Sequence, residues 1–113
     1  ICRGSQLSAS VDLAGLPLID SAVAWAREGM ATGASGRNWA AYGAEVDWPE
    51  DAPEWQRTLL TDPQTSGGLL VSCAPGAVDA VLRAFHGDGF AQAAIVGRMQ
   101  ALKAGPEPRL HCT

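Results

Sequence analysis

Residues 62 to 70 read Asp-Pro-Gln-Thr-Ser-Gly-Gly-Leu-Leu, and the rest of the fold can be predicted outward from them. Pro63 has a fixed φ and no amide hydrogen, so the helix before it should end here. Gly67 and Gly68 have no Cβ, which lets other groups approach the backbone closely. The apolar run 69–73 that follows is short and continuous, which predicts a buried strand.

The sequence upstream of this stretch predicts a strand and two helices. Residues 7–13 alternate apolar and polar side chains, which is typical of a half-buried strand. Asp20 can cap a helix that ends near Gly29; its apolar face would carry Val23, Ala26 and Met30. A short helix begins around Asp51, Pro53 and Glu54, because proline and acidic side chains suit a first turn. The segment 31–51 between these two helices is predicted to be a long connection, either functional or mobile.

The sequence downstream predicts a helix between two strands. Pro75 begins a helix that ends at Gly87 and has Val78, Val81, Leu82 and Phe85 on one face. Residues 93–99 predict the next strand, so residues 68–99 form a predicted β-α-β unit with a right-handed crossover if its strands are parallel neighbours. Residues 109–112 predict a short closing strand.

Length and composition fit one folded domain. The chain has 113 residues, of which 47% are hydrophobic and 18% charged, enough for one core and unlike a disordered chain. No repeat or interdomain linker is found. We therefore predict an α+β fold, a single compact domain over residues 1–113 with a mixed β-sheet packed on helices.

Charge and cysteine patterns argue against several kinds of partner. The net charge is −4 and the basic residues are scattered, so no nucleic-acid partner is expected. No apolar stretch approaches the roughly 18 to 20 residues of a membrane span, so no membrane partner is expected. Cys2, Cys73 and Cys112 are widely spaced and form no metal-ligand motif, which fits reduced thiols in a cytosolic protein.

The turn within residues 62–70 has two possible roles. Successive amide donors beside the Thr65 and Ser66 hydroxyls could form a nest for phosphate or carboxylate. An ordinary turn, in which those hydroxyls satisfy backbone groups, would have the same composition. Leu69 follows the second glycine where a P-loop requires lysine, so this is not a phosphoryl-transfer loop of that type.

Two segments resemble those of one enzyme family. Residues 62–70 resemble the hallmark segment of bacterial selenophosphate synthetases, the selenide, water dikinases. Residues 33–43 read Gly-Ala-Ser-Gly-Arg-Asn-Trp-Ala-Ala-Tyr-Gly and are similar to the family's Gly-Gly-Thr-x-Arg-Asn-(aromatic)-Ala-Ser-Tyr-Gly. Ala34 and Ser35 are among the departures from that pattern. The resemblance covers nearly the whole chain and is to the family's C-terminal domain, of the AIR synthase-related type. Sister synthetases of purine, thiamine and hydrogenase-cofactor pathways share that domain but lack the full Asp-Pro-Gln-Thr motif.

The resemblance implies the activity of a longer parent enzyme. That enzyme converts ATP, selenide and water into selenophosphate, AMP and phosphate, with Mg on the nucleotide phosphates. An N-terminal domain would bind most of the ATP and Mg and carry the reactive Cys or selenocysteine, none of which maps onto this chain. The resemblance also implies a cytoplasmic homodimer. We therefore expect no catalytic or metal-binding residue and no tightly bound cofactor in this fragment, which should be inactive alone.

The two motif segments supply the candidate site residues near substrate or phosphate. Arg37 is the expected charge partner, and Asn38, Thr65 and Ser66 are the expected hydrogen-bond donors. The full set is Ser35, Arg37, Asn38, Asp62, Gln64, Thr65, Ser66, Gly67 and Gly68. Two other interpretations stay open: a purely structural interdomain or dimerisation module, and the domain of a sister ATP-dependent synthetase.

The tryptophans and the acidic stretch are also open to two interpretations. Trp25 and Trp55 lie on predicted helices and should pack into the core, whereas Trp39 and Trp48 suit interdomain packing or ligand stacking. The acids between residues 45 and 54 could form a cation site, but they lack EF-hand spacing and fit a solvated loop.

Overall fold

The computed structural model describes residues 1–64, 67–102, 105 and 108–113, which form five α-helices, two 3₁₀ turns and four strands. The helices are α1 Cys2–Ser5, α2 Asp20–Arg27, α3 Gly33–Tyr42, α4 Glu54–Leu60 and α5 Val78–Gly87. The strands are β1 Leu7–Val11, β2 Val46–Asp47, β3 Gly97–Ala101 and β4 Leu110–Cys112. The 3₁₀ turns are Gly43–Glu45 and Pro75–Ala77.

The four strands form one mixed sheet in the order β2-β4-β1-β3. The central strand β1 pairs antiparallel with β3 and parallel with β4, and β4 pairs parallel with β2. The predicted α+β class, a single compact domain with a mixed sheet and helices, is confirmed.

Among the described residues, the buried apolar side chains come mainly from the centre of the sheet and from α2. Ala9 on β1 and Cys112 on β4 are buried with Leu13, and Ala26 is buried on α2. In the helical part, α2 packs on α4, where the Arg27 guanidinium lies 4.8 Å from the centre of the Trp55 ring. These contacts position the end of α4 beside the start of α3.

Several predicted elements are confirmed near their predicted bounds. Strand β1, helix α4, helix α5 and strand β4 form where the sequence predicted them. Helix α2 also forms and is followed by Gly29 with a φ of 86°. Asp20, however, is its first helical residue rather than its cap, and Met30 lies beyond its end, 63% exposed.

The predicted long connection over residues 31–51 is wrong. This segment contains helix α3, the 3₁₀ turn Gly43–Glu45 and strand β2. Glycines lower helix propensity, but the helix is held by contacts with distant residues, including the hydrogen bond from Asn38 to Thr61. Tertiary contacts therefore override the local composition.

The predicted strand over 69–73 and the β-α-β unit that contains it are also wrong. Residues 69–73 are not assigned to a strand, and Leu69 and Leu70 are 82% and 69% exposed. The strand predicted over 93–99 begins at Gly97 and pairs antiparallel with β1. A continuous apolar run makes a buried strand only when neighbouring elements cover it, and no described part of the chain covers residues 69 and 70 in this way.

Candidate functional site

The start of α3 contacts the residue that follows the end of α4. Thr32, the N-cap residue of α3, donates its hydroxyl hydrogen to Oδ1 of Asp62 at 2.8 Å. The Ser35 hydroxyl lies 3.4 Å from the same oxygen and 3.4 Å from the Thr32 hydroxyl. Ser35 is only 2% exposed, so Asp62 provides an acceptor for a hydroxyl that water hardly reaches.

A second hydrogen bond joins the same two elements one helical turn further on. The Asn38 side-chain amide donates to the carbonyl oxygen of Thr61 at 2.8 Å. Thr61 is the residue at the C-terminal end of α4, and its hydroxyl donates to the carbonyl of Arg57 at 2.9 Å. Residues 32–38 at the start of α3 and residues 61–62 after α4 are therefore fixed against each other at two points.

The Asp62 carboxylate also suits the electrostatics of this junction. It lies at the N-terminus of α3, where the helix dipole is positive and where a negative charge contributes about 0.3–1 kcal/mol. Thr32 makes no side-chain cap bond within α3. Its hydroxyl binds Asp62 instead, so the two elements are linked through the capping position.

Arg37 lies on α3 between the two anchoring residues Ser35 and Asn38. Its side chain is exposed, and its Nη1 atom is 3.7 Å from the position that a Cβ on Gly33 would occupy. Ser35 and Asn38 hold α3 on α4, while the guanidinium of Arg37 stays accessible to an anion. Within this one motif, Ser35 and Asn38 therefore fix the helix, and Arg37 carries the exposed positive charge.

The turn after Asp62 is described in part. The side chain of Gln64 folds over Gly67, so that a Cβ on Gly67 would lie 2.8 Å from Oε1 of Gln64. Gly68 has no such neighbour within 4 Å. Thr65 and Ser66 lie outside the described residues, and the anion nest predicted for their hydroxyls stays a prediction.

A mainly apolar groove lies beside the hydrogen-bonded junction. It has a volume of about 320 Å³ and runs between α2 and α4. Trp25 and Met30 line it and are 56% and 63% exposed, so the prediction that Trp25 packs into the core is wrong. Thr32 and Asp62 line its polar end. Sequence reasoning did not select Thr32, although a threonine just before a helix is a recognised capping signal.

Residues 1–64, 67–102, 105 and 108–113 contain neither a metal-ligand cluster nor a membrane-length helix. No group of three or more His, Cys, Asp or Glu side chains there is placed to hold a metal ion. No helix there has the length and apolar character needed to cross a membrane.

Comparison with known proteins identifies the domain family. The family model described as AIR synthase related protein, C-terminal domain, matches residues 1–105 of the chain. The chain belongs to this family. The resemblance of the two motif segments to the AIR synthase-related type is thereby confirmed.

Three relatives similar to this chain are named "Selenide, water dikinase". The chain is 57% identical over 99 residues to the protein from Paraburkholderia xenovorans (strain LB400), a match that covers 88% of this chain and 28% of that relative. It is 54% identical over 101 residues to the one from Pseudomonas straminea, covering 89% and 28%. For Rhizobium meliloti (strain 1021) the identity is 50% over 101 residues, covering 89% and 29%. The chain thus spans less than a third of the length of these relatives.

Proposed function

We propose that this chain is the C-terminal domain of a selenide, water dikinase, whose full-length form makes selenophosphate, AMP and phosphate from ATP, selenide and water. The observation that carries this proposal is an identity of 50 to 57% with proteins of that name over about nine-tenths of the chain. The sister-synthetase alternative is disfavoured by the complete Asp-Pro-Gln-Thr sequence at residues 62–65.

Within such an enzyme, the domain would support the reaction rather than perform it. Phosphoryl transfer depends mainly on positioning and on neutralising charge. ATP and Mg would be bound mainly by a preceding N-terminal domain, with which residues 1–113 would form the active cleft. The anchored helix α3 would then present Arg37 to a phosphate or product, with Thr65 and Ser66 as further hydrogen-bond donors. The parent enzyme would be a cytoplasmic homodimer acting on selenide.

The experiment that tests this role replaces Arg37 in the full-length enzyme. If the guanidinium binds phosphate or product, Arg37→Ala should lower kcat/KM for ATP at least tenfold, because a charged hydrogen bond contributes about 1.5–3 kcal/mol. Selenide-dependent AMP formation is the measurement. Arg37→Lys should recover part of the loss, since the positive charge is kept.

Arg98→Ala is the matched control, because Arg98 is an exposed arginine on β3, in the sheet rather than on α3. It should leave turnover unchanged. Equal rates and equal ATP affinity for the parent enzyme and the Arg37→Ala variant would exclude a direct role for Arg37.

The exposed groove at Trp25 and Met30 favours a second candidate, a module that mainly docks another domain or a second subunit. Exposed apolar side chains grouped in one groove are typical of such surfaces. Calorimetric titration of the 113-residue chain with ATP, pyrophosphate and phosphate separates the two candidates. Binding that is lost on Ser66→Ala supports an anion site, whereas no detectable heat favours the docking module.

A further inference from the structure

A second groove shares no lining residue with the groove at Trp25 and Met30 and has two tryptophans in its wall. It has a volume of about 610 Å³ and is lined by Trp39 of α3, by Trp48 and Pro49 after β2, and by Arg57 of α4. The ring centroids of Trp39 and Trp48 are 6.1 Å apart, with an angle of 76° between the planes. The two rings therefore form a corner with one aromatic wall on each side.

One of these walls already binds a cation from the same chain. The Arg57 guanidinium lies 4.9 Å from the centre of the Trp39 ring, and its Nη2 donates to Oε1 of Glu54 at 3.3 Å. Trp39 also packs against Gly43, where a Cβ would lie 2.9 Å from the indole. The Trp39 ring is thus in contact with Arg57 and Gly43 of the same chain. The Trp48 ring is therefore the better surface for a second molecule.

Two carboxylates close to Trp48 in the sequence also line the groove. Asp47, 63% exposed, and Glu50, also exposed, both line it. The chain has a net charge of −4. A planar cation could therefore stack on the indole and pair with a carboxylate, as Arg57 does with Trp39 and Glu54 in the same groove.

We propose that this groove binds an arginine side chain of a partner peptide segment, with its guanidinium on Trp48 and paired with Glu50. Arginine fits better than lysine because the guanidinium is flat, weakly hydrated and able to bind a carboxylate through two parallel hydrogen bonds. This site is separate from the Thr32–Asp62 junction, so the proposal does not depend on the proposed enzyme function.

The test is a titration of the 113-residue chain with the blocked peptide acetyl-Gly-Arg-Gly-Arg-Gly-amide, followed by NMR of the indole N–H signals. Saturable shifts are expected at Trp39 and Trp48. The peptides with lysine or glutamate in place of arginine should bind at least threefold more weakly or not at all. Trp48→Ala should weaken binding at least tenfold and Glu50→Gln about threefold.

Two further variants distinguish this site from general attraction to an acidic protein. Arg57→Gln should strengthen binding, because it vacates the aromatic wall that the internal cation occupies. Trp25→Ala removes an exposed tryptophan from the other groove and should leave the affinity unchanged.

Equal binding of the lysine or glutamate peptide would overturn the proposal, as would the absence of saturable shifts at Trp48. If Trp48→Ala does not fold by circular dichroism, the exposed Glu50→Gln variant decides. An affinity unchanged by that substitution would also overturn it.

Discussion

Thr32 donates its hydroxyl hydrogen to Oδ1 of Asp62 at 2.8 Å, across 30 positions of the chain. The bond joins the cap of α3 to the first residue of the segment 62–70. Segments 33–43 and 62–70 carry the resemblance to selenide, water dikinases, and they meet directly where the Ser35 hydroxyl lies 3.4 Å from the same Asp62 oxygen. At least part of each motif therefore maintains the geometry in which the remaining residues, such as Arg37, are presented.

Replacing Asp62 by alanine should destabilise the domain. The change removes the acceptor that lies beside both the Thr32 hydroxyl and the Ser35 hydroxyl, and Ser35 is 2% exposed. A buried hydroxyl without a partner costs about 1–3 kcal/mol, so the free energy of unfolding should fall by about that amount. Urea unfolding monitored by tryptophan fluorescence measures it.

Asp62→Asn keeps an acceptor oxygen and should lose less stability than Asp62→Ala. Asp51→Ala is the matched control, because Asp51 is exposed and precedes α4. If all three variants unfold at the same urea concentration as the parent chain, the Asp62 contacts contribute nothing to stability.

The elements that could be predicted from the sequence are those whose apolar spacing alone determines their burial. In α5 the half-buried Val78, Val81, Leu82 and Phe85 share one helix face. In β1 the alternation of residues 7–11 predicted the strand but not its burial, because polar Ser8 is only 6% exposed. Helix α3 could not be predicted this way. Its start depends on Asp62 and its middle on Thr61, both more than 20 positions away.

The sequence could predict which residues belong to the candidate site, but not which contacts each of them makes. The motif resemblance selected Ser35, Asn38 and Asp62, yet it gave no sign that their side chains bind each other and Thr61. Thr32 was missed because its importance comes from the position of Asp62. The exposure of residues 69–71 was missed because an apolar run indicates burial and does not say which element provides it.

Stability should decrease in acid through Glu45. Hydrogen bonds from Arg3, at 3.0 and 3.1 Å for its Nε, lower the pKa of the Glu45 carboxyl. A lowered folded pKa gives stability that is present above the unfolded pKa, about 4.3, and is lost as the pH falls through the folded value. Urea midpoints measured from pH 7 to pH 3 should show this loss.

Glu45→Gln should flatten that part of the pH profile, and added salt should weaken the effect because Arg3 is exposed. Glu28→Gln, at an exposed position after α2, is the control and should keep the parent profile. A Glu45→Gln profile that matches the parent chain at every pH would contradict the assignment.

Gly97→Ala should destabilise the edge of the sheet. Gly97 pairs with Val11 at the start of β3, and an added Cβ would overlap the carbonyl oxygen of Ser10. Because that oxygen belongs to the backbone of the central strand, the strands must move apart, at a cost of about 1–3 kcal/mol. Gly87→Ala is the control, since a Cβ there has no neighbour within 4 Å and alanine favours a helix. Urea midpoints that shift equally for both variants would contradict the predicted overlap.

The three cysteines should react with a thiol reagent at different rates. Cys73 is exposed and Cys2 half-buried, whereas Cys112 is buried at the end of β4. Burial, with a smaller contribution from the charge of Asp47, raises the pKa of the Cys112 thiol. Since the thiolate is the reactive form, Cys112 should react at least tenfold more slowly than Cys73, and its rate should rise only at higher pH.

The Cys2→Ser/Cys73→Ser variant isolates Cys112 for this measurement with Ellman's reagent, and unfolding in urea should remove the difference. A Cys112 rate equal to that of Cys73 in the folded protein would show that β4 does not protect the thiol.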